Sequence, residues 1–151
     1  MTTSAMTEKA RQSWMSLLSK ASPERLQALL NRVADRPSHS WLRPPEIGGV
    51  MVRGRMGGTG APFNLGEMTV TRCAVRIDSG EVGHAYVQGR DRDHAERAAL
   101  VDALMQTARA DDLRDAVLTP LANEVSARTQ ARAAKAAATK VEFFTMVRGE
   151  D

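Results

Sequence analysis

Apolar residues recur at helical spacing near the start of the chain, and the intervals predict two short helices. In the segment 7–18 they occupy one face of a helix, at Ala10, Trp14, Leu17 and Leu18. Ser22, Pro23 and Glu24 then supply an N-cap, a proline at the first helical position and an acid near the positive helix end. Pro37 ends this second helix. We therefore expect an N-terminal helical hairpin.

The middle of the chain changes to a pattern typical of β-strands. Strand-like segments cover residues 47–55, 67–77 and 81–88, and the last two flank a turn sequence at 78–80. A two-residue turn at Ser79-Gly80 pairs Ile77 with Val82, Val75 with His84 and Cys73 with Tyr86. That register places one apolar set on a single face: Cys73, Val75, Ile77, Val82 and Tyr86. The pattern predicts an antiparallel sheet with a hairpin, in which His84 is a packed histidine.

Helical spacing returns near Asp93, where Glu96 follows three residues later in an arrangement similar to a capping box. A second C-terminal helix follows, which Pro120 kinks or restarts, and the alanine-rich segment 127–138 favours helix strongly. The apolar segment 141–148 is predicted to be strand-like. The complete pattern predicts one α+β domain over residues 1–151, with 141–151 as a docking tail.

Composition agrees with a single globular domain and limits the classes of partner. The chain has 151 residues, 42% hydrophobic and 26% charged, with a net charge of +3 and both signs interspersed. Arg128, Arg132 and Lys135 form a basic stripe, either a solvated helix face or a nucleic-acid contact. Aromatic residues make up only 4%, and no nucleic-acid motif accompanies the stripe, so we predict no nucleic-acid partner.

Cysteine content and hydropathy indicate a compartment. A single cysteine, Cys73, excludes an internal disulfide and is typical of a reducing cytosol. The chain has no apolar run of about 20 residues, which is the length that spans a bilayer. Its first 20 residues are polar and amphipathic, unlike a secretory signal. We expect a soluble, cytoplasmic protein without a membrane partner.

The histidines and the cysteine do not indicate a metal site or a local catalytic pair. His39, His84, His94 and Cys73 do not have the spacing of metal ligands. His94 and Glu96 are two residues apart, so they diverge on a helix. No nucleophile elbow is present, although a triad assembled from distant residues stays open. We predict no metal and no cofactor bound by this chain alone.

A glycine-rich loop is the first candidate for anion binding. It comprises Gly57, Gly58, Thr59 and Gly60, and it follows two cations at Arg53 and Arg55. Consecutive backbone amides without large side chains can form an anion-binding nest. The spacing is neither that of a P-loop nor that of a dinucleotide-binding turn. A tight turn packed against other backbone explains the glycines equally well.

The passage from the last strand into the third helix is the second candidate. Gln88, Gly89 and Arg90 precede the helix, and His94 lies in its first turn. Free amides at a helix start attract anions, and an arginine adds a bidentate phosphate contact. The alternative is that Asp93 and Glu96 cap the helix while the arginines are solvated.

The C-terminal segment is unusually apolar for a chain end. It contains two of the three phenylalanines and further large side chains, so we predict an interface formed by Phe143, Phe144, Met146, Val147 and Arg148. Such a segment either closes the core of this chain or docks on a partner, and we favour docking.

Several separated motifs resemble one known family. They are the segments 14–16 (WMS), 56–60 (MGGTG), 87–91 (VQGRD) leading to 94–96 (HAE), 100–106 (LVDALMQ) and 143–149 (FFTMVRG). In this order they are similar to the G subunit of the bacterial carbon–phosphorus lyase core complex, the PhnG family. The resemblance extends over nearly the whole chain.

The resemblance implies a role in the use of organic phosphonates. Family members act with the H, I and L subunits in a ribosyl transfer in which alkylphosphonate displaces adenine from ATP, giving a ribose 1-alkylphosphonate 5-triphosphate. The I subunit is implied as the most direct partner, with J and H in a core holding two copies of each, and ATP with Mg²⁺ as co-substrate. The family implies no catalytic residue for this chain. The alternatives are a stand-alone phosphate- or nucleotide-binding protein and a small nucleic-acid-binding module.

Overall fold

A computed structural model describes the backbone of residues 2–148 and the side chains of residues 7–140. Two helices precede three antiparallel strands along the chain, and further helices follow them. This order confirms the α+β class and the N-terminal helical hairpin. The order of elements in the described part is α1 (Thr2–Lys20), α2 (Pro23–Leu30), β1 (His39–Arg55), β2 (Pro62–Ile77), β3 (Val82–Gln88), α3 (Arg92–Leu104), α4 (Ala110–Leu113) and α5 (Thr119–Arg148). A 3-10 turn (Met56–Gly58) joins β1 to β2, and a π-helical turn (Arg114–Leu118) joins α4 to α5.

The start of α2 forms as its sequence predicts. Ser22 is the N-cap, and its hydroxyl accepts a hydrogen bond from the Arg25 amide. Pro23 stands at the first helical position, where its missing amide hydrogen costs nothing. The apolar stripe of α2 is buried in the core through Leu26, Leu29 and Leu30.

The sheet has the order β1-β2-β3, and its strands differ in length. β3 pairs only with the second half of β2, from Val70 opposite Gln88 to Arg76 opposite Val82. Beyond that point β1 and β2 continue through seven more residue pairs as a two-stranded ribbon. This ribbon and the turn at its tip, residues 49–69, are called the arm below.

One face of the three-stranded part packs on α3 and is called the inner face; the opposite one is the outer face. The inner face buries alternating residues of two strands, namely Cys73, Val75, Ile77, Ala85 and Val87. Gly83 lets α3 approach closely, because an ideal Cβ there would lie 1.8 Å from the Ala99 carbonyl oxygen. The small side chains of Ala95, Ala98 and Ala99 are buried at the same contact.

The predicted register of the β2–β3 hairpin is wrong by one residue. Cys73 lies opposite Ala85, and Arg72 lies opposite Tyr86. The turn contains three residues instead of two, because Gly80 at φ 102° forms a left-handed position before the strand resumes. A shift of one residue moves every side chain of β3 to the other face. Tyr86, expected in the core, is therefore 57% exposed on the outer face, and His84 is exposed as well.

The predicted start of α3 also needs correction. Asp91 is the N-cap, and its carboxylate accepts a hydrogen bond of 2.9 Å from the His94 amide. Asp93 therefore lies inside the first turn, and Glu96 does not complete a capping box. Aspartate at either position satisfies the pattern of an acid before an apolar run, so the local sequence does not distinguish them.

The C-terminal segment is helical where a strand-like tail was predicted. Pro120 directly follows the π-helical turn, which leads into α5 without a break in the helical backbone, and the helix continues to Arg148. Alanine, arginine and lysine dominate its middle, and an established helix gains one hydrogen bond for each residue added. The apolar pattern of 141–148 therefore occurs on backbone that continues α5. None of the helices in the described part combines the length and apolarity needed to cross a bilayer.

Candidate functional site

The glycine-rich loop forms the tip of the arm. Gly57 and Gly58 have φ values of 60° and 81°, which non-glycine residues rarely adopt. The amides of Thr59 and Gly60 both donate to the Met56 carbonyl, the latter at 2.8 Å. These two amides are therefore satisfied within the loop. The loop is a tight turn at the exposed end of the arm, and anion binding by it stays a prediction.

The second candidate segment lies at the base of the arm. The Gly89 amide donates to the Thr69 carbonyl at 2.9 Å, and the Gly89 carbonyl accepts from the Thr71 hydroxyl at 2.7 Å. These bonds hold the end of β3 against β2 where the third strand stops. Gln88 and Arg90 extend from this joint and are exposed.

The two candidate segments do not form one pocket. Seven residue pairs separate the base of the arm from its tip, a distance of roughly 23 Å at about 3.3 Å per residue. Arg53 and Arg55 lie near the tip of the arm, while Arg90 lies at its base. His94 is separate again, since it is only 2% exposed and its Nε2 lies 2.9 Å from the Leu18 carbonyl oxygen. The His94 side chain therefore joins α3 to α1 and does not face the surface.

An open depression of about 570 Å³ occupies the outer face beside the base of the arm. Tyr86 lines it together with Arg72 and Arg92, and Glu46 pairs with Arg72 at 3.0 Å. An aromatic ring beside guanidinium groups suits a ligand or partner that presents both apolar and anionic groups. The sequence did not indicate this site, because the predicted register placed Tyr86 in the core.

A buried carboxylate joins α1, α3 and β3 below the sheet. Asp102 is fully buried and accepts from Arg11 Nε at 3.2 Å, Arg11 Nη2 at 2.9 Å and Trp14 Nε1 at 2.8 Å. It also accepts from the His84 amide at 2.9 Å. The hydrogen bond to Asp102 raises the pKa of the Arg11 guanidinium above its usual value. Four donors satisfy this carboxylate, so its role is structural.

A second polar pair connects the start of β1 to α3. His39 Nε2 lies 2.7 Å from Glu96 Oε1, and each side chain is about one-quarter exposed, at 25% and 28%. The pair borders a small cavity of about 230 Å³ together with Arg36 and Asp93. The pair serves to hold β1 on α3.

The remaining groups do not complete a catalytic set in the described part of the chain. Cys73 is buried, and desolvation raises its pKa to about 11, so its thiol is neutral at physiological pH and unsuited to nucleophilic attack. Among the residues with described side chains, no three histidine, cysteine or carboxylate groups lie close enough to hold a metal ion.

The predicted interface at the C-terminus lies outside the residues with described side chains. It comprises Phe143, Phe144, Met146, Val147 and Arg148. Only their backbone is described, and it belongs to α5. The docking tail therefore stays a prediction.

The fold and the surface together define a class of protein. It is an α+β chain that presents an exposed two-stranded arm and an open outer sheet face. The family model described as "Phosphonate metabolism protein PhnG" matches residues 9–149. The chain belongs to this family. It is also 45% identical over 141 residues to the alpha-D-ribose 1-methylphosphonate 5-triphosphate synthase subunit PhnG of Rhizobium meliloti (strain 1021), covering 93% of this chain and 90% of that protein. Both findings confirm the family resemblance of the separated motifs.

Proposed function

We propose that this chain is the G subunit of an alpha-D-ribose 1-methylphosphonate 5-triphosphate synthase within a carbon–phosphorus lyase core complex. The observation that carries the proposal is the 45% identity over 93% of the chain to the subunit of that name. The reaction is a ribosyl transfer in which an alkylphosphonate oxygen displaces adenine from C1 of the ribose of ATP. The products are adenine and ribose 1-methylphosphonate 5-triphosphate.

The proposed partners are the other subunits of the assembly. The I subunit is the most direct partner, and the H, J and L subunits also take part, with two copies of this chain in the core. ATP with Mg²⁺ is a co-substrate of the assembly and not a cofactor of this chain. The reaction takes place in the cytoplasm. An exposed arm and sheet face support a role that is completed by other proteins.

The contribution of this chain to the reaction is the positioning of anionic reactants. ATP and a phosphonate repel one another, and water competes for the same carbon, so close placement and exclusion of water favour the transfer. Arg53, Arg55 and Arg90 are exposed and form no ion pair within the described part. We propose that Arg90 and the loop Gly57–Gly60 meet the nucleotide site of a partner at separate points.

Co-expression of this chain with the I, H and L subunits tests the proposal. Adenine release from ATP in the presence of methylphosphonate should require this chain, and the purified chain alone should release none. Full adenine release by the other subunits without this chain contradicts the proposal. Turnover by this chain alone instead favours a stand-alone enzyme.

Two variants test the proposed residues. Arg90→Ala should lower the rate of adenine release about tenfold without loss of the complex, because one arginine–phosphate contact is removed. Arg128→Ala, which removes an exposed arginine from α5, should leave the rate unchanged and serves as the control.

Deletion of residues 141–151 should abolish co-purification with the I subunit; retention at wild-type stoichiometry contradicts the docking tail.

A further inference from the structure

The arm is a two-stranded ribbon in the part of the chain that the structure describes. Its seven residue pairs have no third strand, and an isolated two-stranded ribbon is marginally stable in water. Large apolar side chains along it are nevertheless exposed, to 70% at Met56 and 63% at Leu65, and the set also includes Val50, Met51 and Phe63. Such a ribbon gains stability when another polypeptide covers it.

Side chains alternate between the two faces of a strand, and this alternation shows which face of the arm continues the depression beside Tyr86. Residues paired across β1 and β2 share a face, so Gly48 with Val70, Val50 with Met68 and Val52 with Gly66 form one strip. Six positions of this strip are apolar or glycine. The strip runs directly into the outer face, because Gly48, Val50 and Val70 also line the depression.

At two glycines in this strip an added side chain would enter open space in the described part of the chain. Nothing lies within 4 Å of an ideal Cβ at Gly48 or Gly66, and neither has a positive φ. Glycine in a strand is destabilising relative to alanine because it loses more conformational freedom on folding, so the fold itself favours another residue at both positions. Gly66 also borders the β-bulge at Leu65, whereas Gly48 has no irregularity beside it. A strand glycine without such a local reason marks the close approach of another backbone.

The charges beside the strip identify the kind of occupant. Arg43, Arg76 and Arg92 are exposed and have no ion pair in the described part, while Arg72 is paired with Glu46. A second copy of this chain, related by a two-fold axis, would bring the same basic face against this one. Like charges across an interface are unfavourable, whereas carboxylates would pair with these arginines. The occupant is therefore a different chain with an acidic surface.

We propose that the outer face of the sheet and the same face of the arm form the docking surface for an acidic partner subunit. The backbone of the partner crosses Gly48 and Gly66, its apolar side chains cover the strip and Tyr86, and its carboxylates pair with Arg43, Arg76 and Arg92. The inference rests on the proposed function only for the identity of the partner, which is the I subunit.

Glycine substitution tests the backbone contact. Gly48→Val and Gly66→Val fill space that is open in this chain, so each purified variant should unfold at the wild-type temperature or above it. Each should reduce the amount of co-expressed I subunit recovered with the chain by about tenfold or more, because the partner cannot approach. Thr69→Val exchanges a hydroxyl for a methyl group on the opposite face of the arm and should leave recovery unchanged.

Charge reversal tests the chemistry of the partner independently of the arm. The pair of changes Arg43→Glu and Arg76→Glu should reduce recovery of the I subunit by about tenfold, since carboxylates would then face carboxylates. The matched control is Arg128→Glu with Arg132→Glu on the exposed side of α5, which should not reduce recovery.

The outcomes separate the two claims. If the wild-type chain recovers no I subunit, the proposed function and this inference both fail. If the wild-type chain recovers it, and the glycine and arginine variants recover as much, the proposed function stands and the docking surface is wrong. Selective loss in the glycine and arginine variants, with intact folding and both controls at wild-type recovery, supports the docking surface.

Discussion

The two halves of β2 lie in opposite environments. In residues 71–77 every inner-face side chain is buried against α3, and on the outer face Arg72 and Arg76 are exposed while Ala74 is buried. Residues 62–69 are exposed or half-buried throughout. A single strand thus passes from a part covered by α3 to a part that is left exposed in the described structure. The difference separates residues that maintain the fold from residues available to other molecules.

Glycines illustrate the same difference. Gly83 is required because the α3 backbone occupies the space of its side chain, whereas Gly48 and Gly66 face open space. A substitution in the helix-backed part should therefore change the free energy of unfolding, and one in the arm should change association. The following predictions test that distinction from the largest expected effect on stability to the smallest.

Replacing the buried carboxylate should have the largest effect. Asp102→Ala leaves Arg11, the Trp14 indole and the His84 amide without their acceptor, which should cost about 3–5 kcal/mol in the free energy of unfolding. Urea unfolding of the purified chain measures this loss. Asp111→Ala removes an exposed ion pair with Arg114 and should cost less than about 0.5 kcal/mol. Equal losses in the two variants would show that the buried cluster is not structural.

Adding a side chain at the close contact between Gly83 and α3 should have the next largest effect. Gly83→Ala places a methyl group against the Ala99 carbonyl and should destabilise the chain by about 2–3 kcal/mol. Thermal and urea unfolding report this change. Gly48→Ala is the matched control and should be neutral or stabilising by up to about 1 kcal/mol. A neutral Gly83→Ala variant would refute the close helix–sheet contact.

Removing the pair between β1 and α3 should have a smaller effect. Glu96→Ala should cost about 1 kcal/mol, because a half-buried hydrogen bond is lost where β1 begins. His39→Ala should cost a similar amount, and the double variant should lose less than the sum. Strict additivity in urea unfolding would show that the two side chains do not interact.

A polar substitution on the arm should change stability least. Leu65 is 63% exposed, so Leu65→Ser should alter the free energy of unfolding by less than about 0.5 kcal/mol. The matched core variant is Leu26→Ser, in which a fully buried side chain is lost, and it should be strongly destabilised. A loss above about 1 kcal/mol for Leu65→Ser would mean that the arm packs on its own chain.

Local patterns predicted most elements of the fold. The N-cap at Ser22 formed as expected because all its determinants lie within a few residues. The existence of the β2–β3 hairpin was also evident from alternation and the turn residues. Its register was not, since the choice between a two- and a three-residue turn depends on Gly80 adopting a left-handed φ and on which β3 face α3 covers. That one-residue shift concealed the outer-face site around Tyr86.

Long-range polar contacts were beyond sequence patterns. His39 and Glu96 are 57 positions apart, and Arg11 and Asp102 are 91 apart, so no spacing rule relates them. Arg53, Arg55 and Arg90 were identified from the sequence as cations that could bind an anion. The distance between the first two and Arg90 depends on how far β1 and β2 extend beyond β3, which the sequence pattern did not predict. His94 was singled out because it begins a helix, yet its burial follows from the packing of α1 on α3.

The bond between Arg11 and Asp102 also sets an order of events during synthesis. The first helix leaves the ribosome long before its acceptor, since 91 positions separate the two side chains. At about 5–20 residues per second this interval is roughly 5 to 18 s. Throughout that time the indole and guanidinium of the nascent helix lack the carboxylate that anchors them. The bond that joins α1 to α3 and β3 is therefore completed late, and a nascent chain that ends before residue 102 still lacks the carboxylate at its centre.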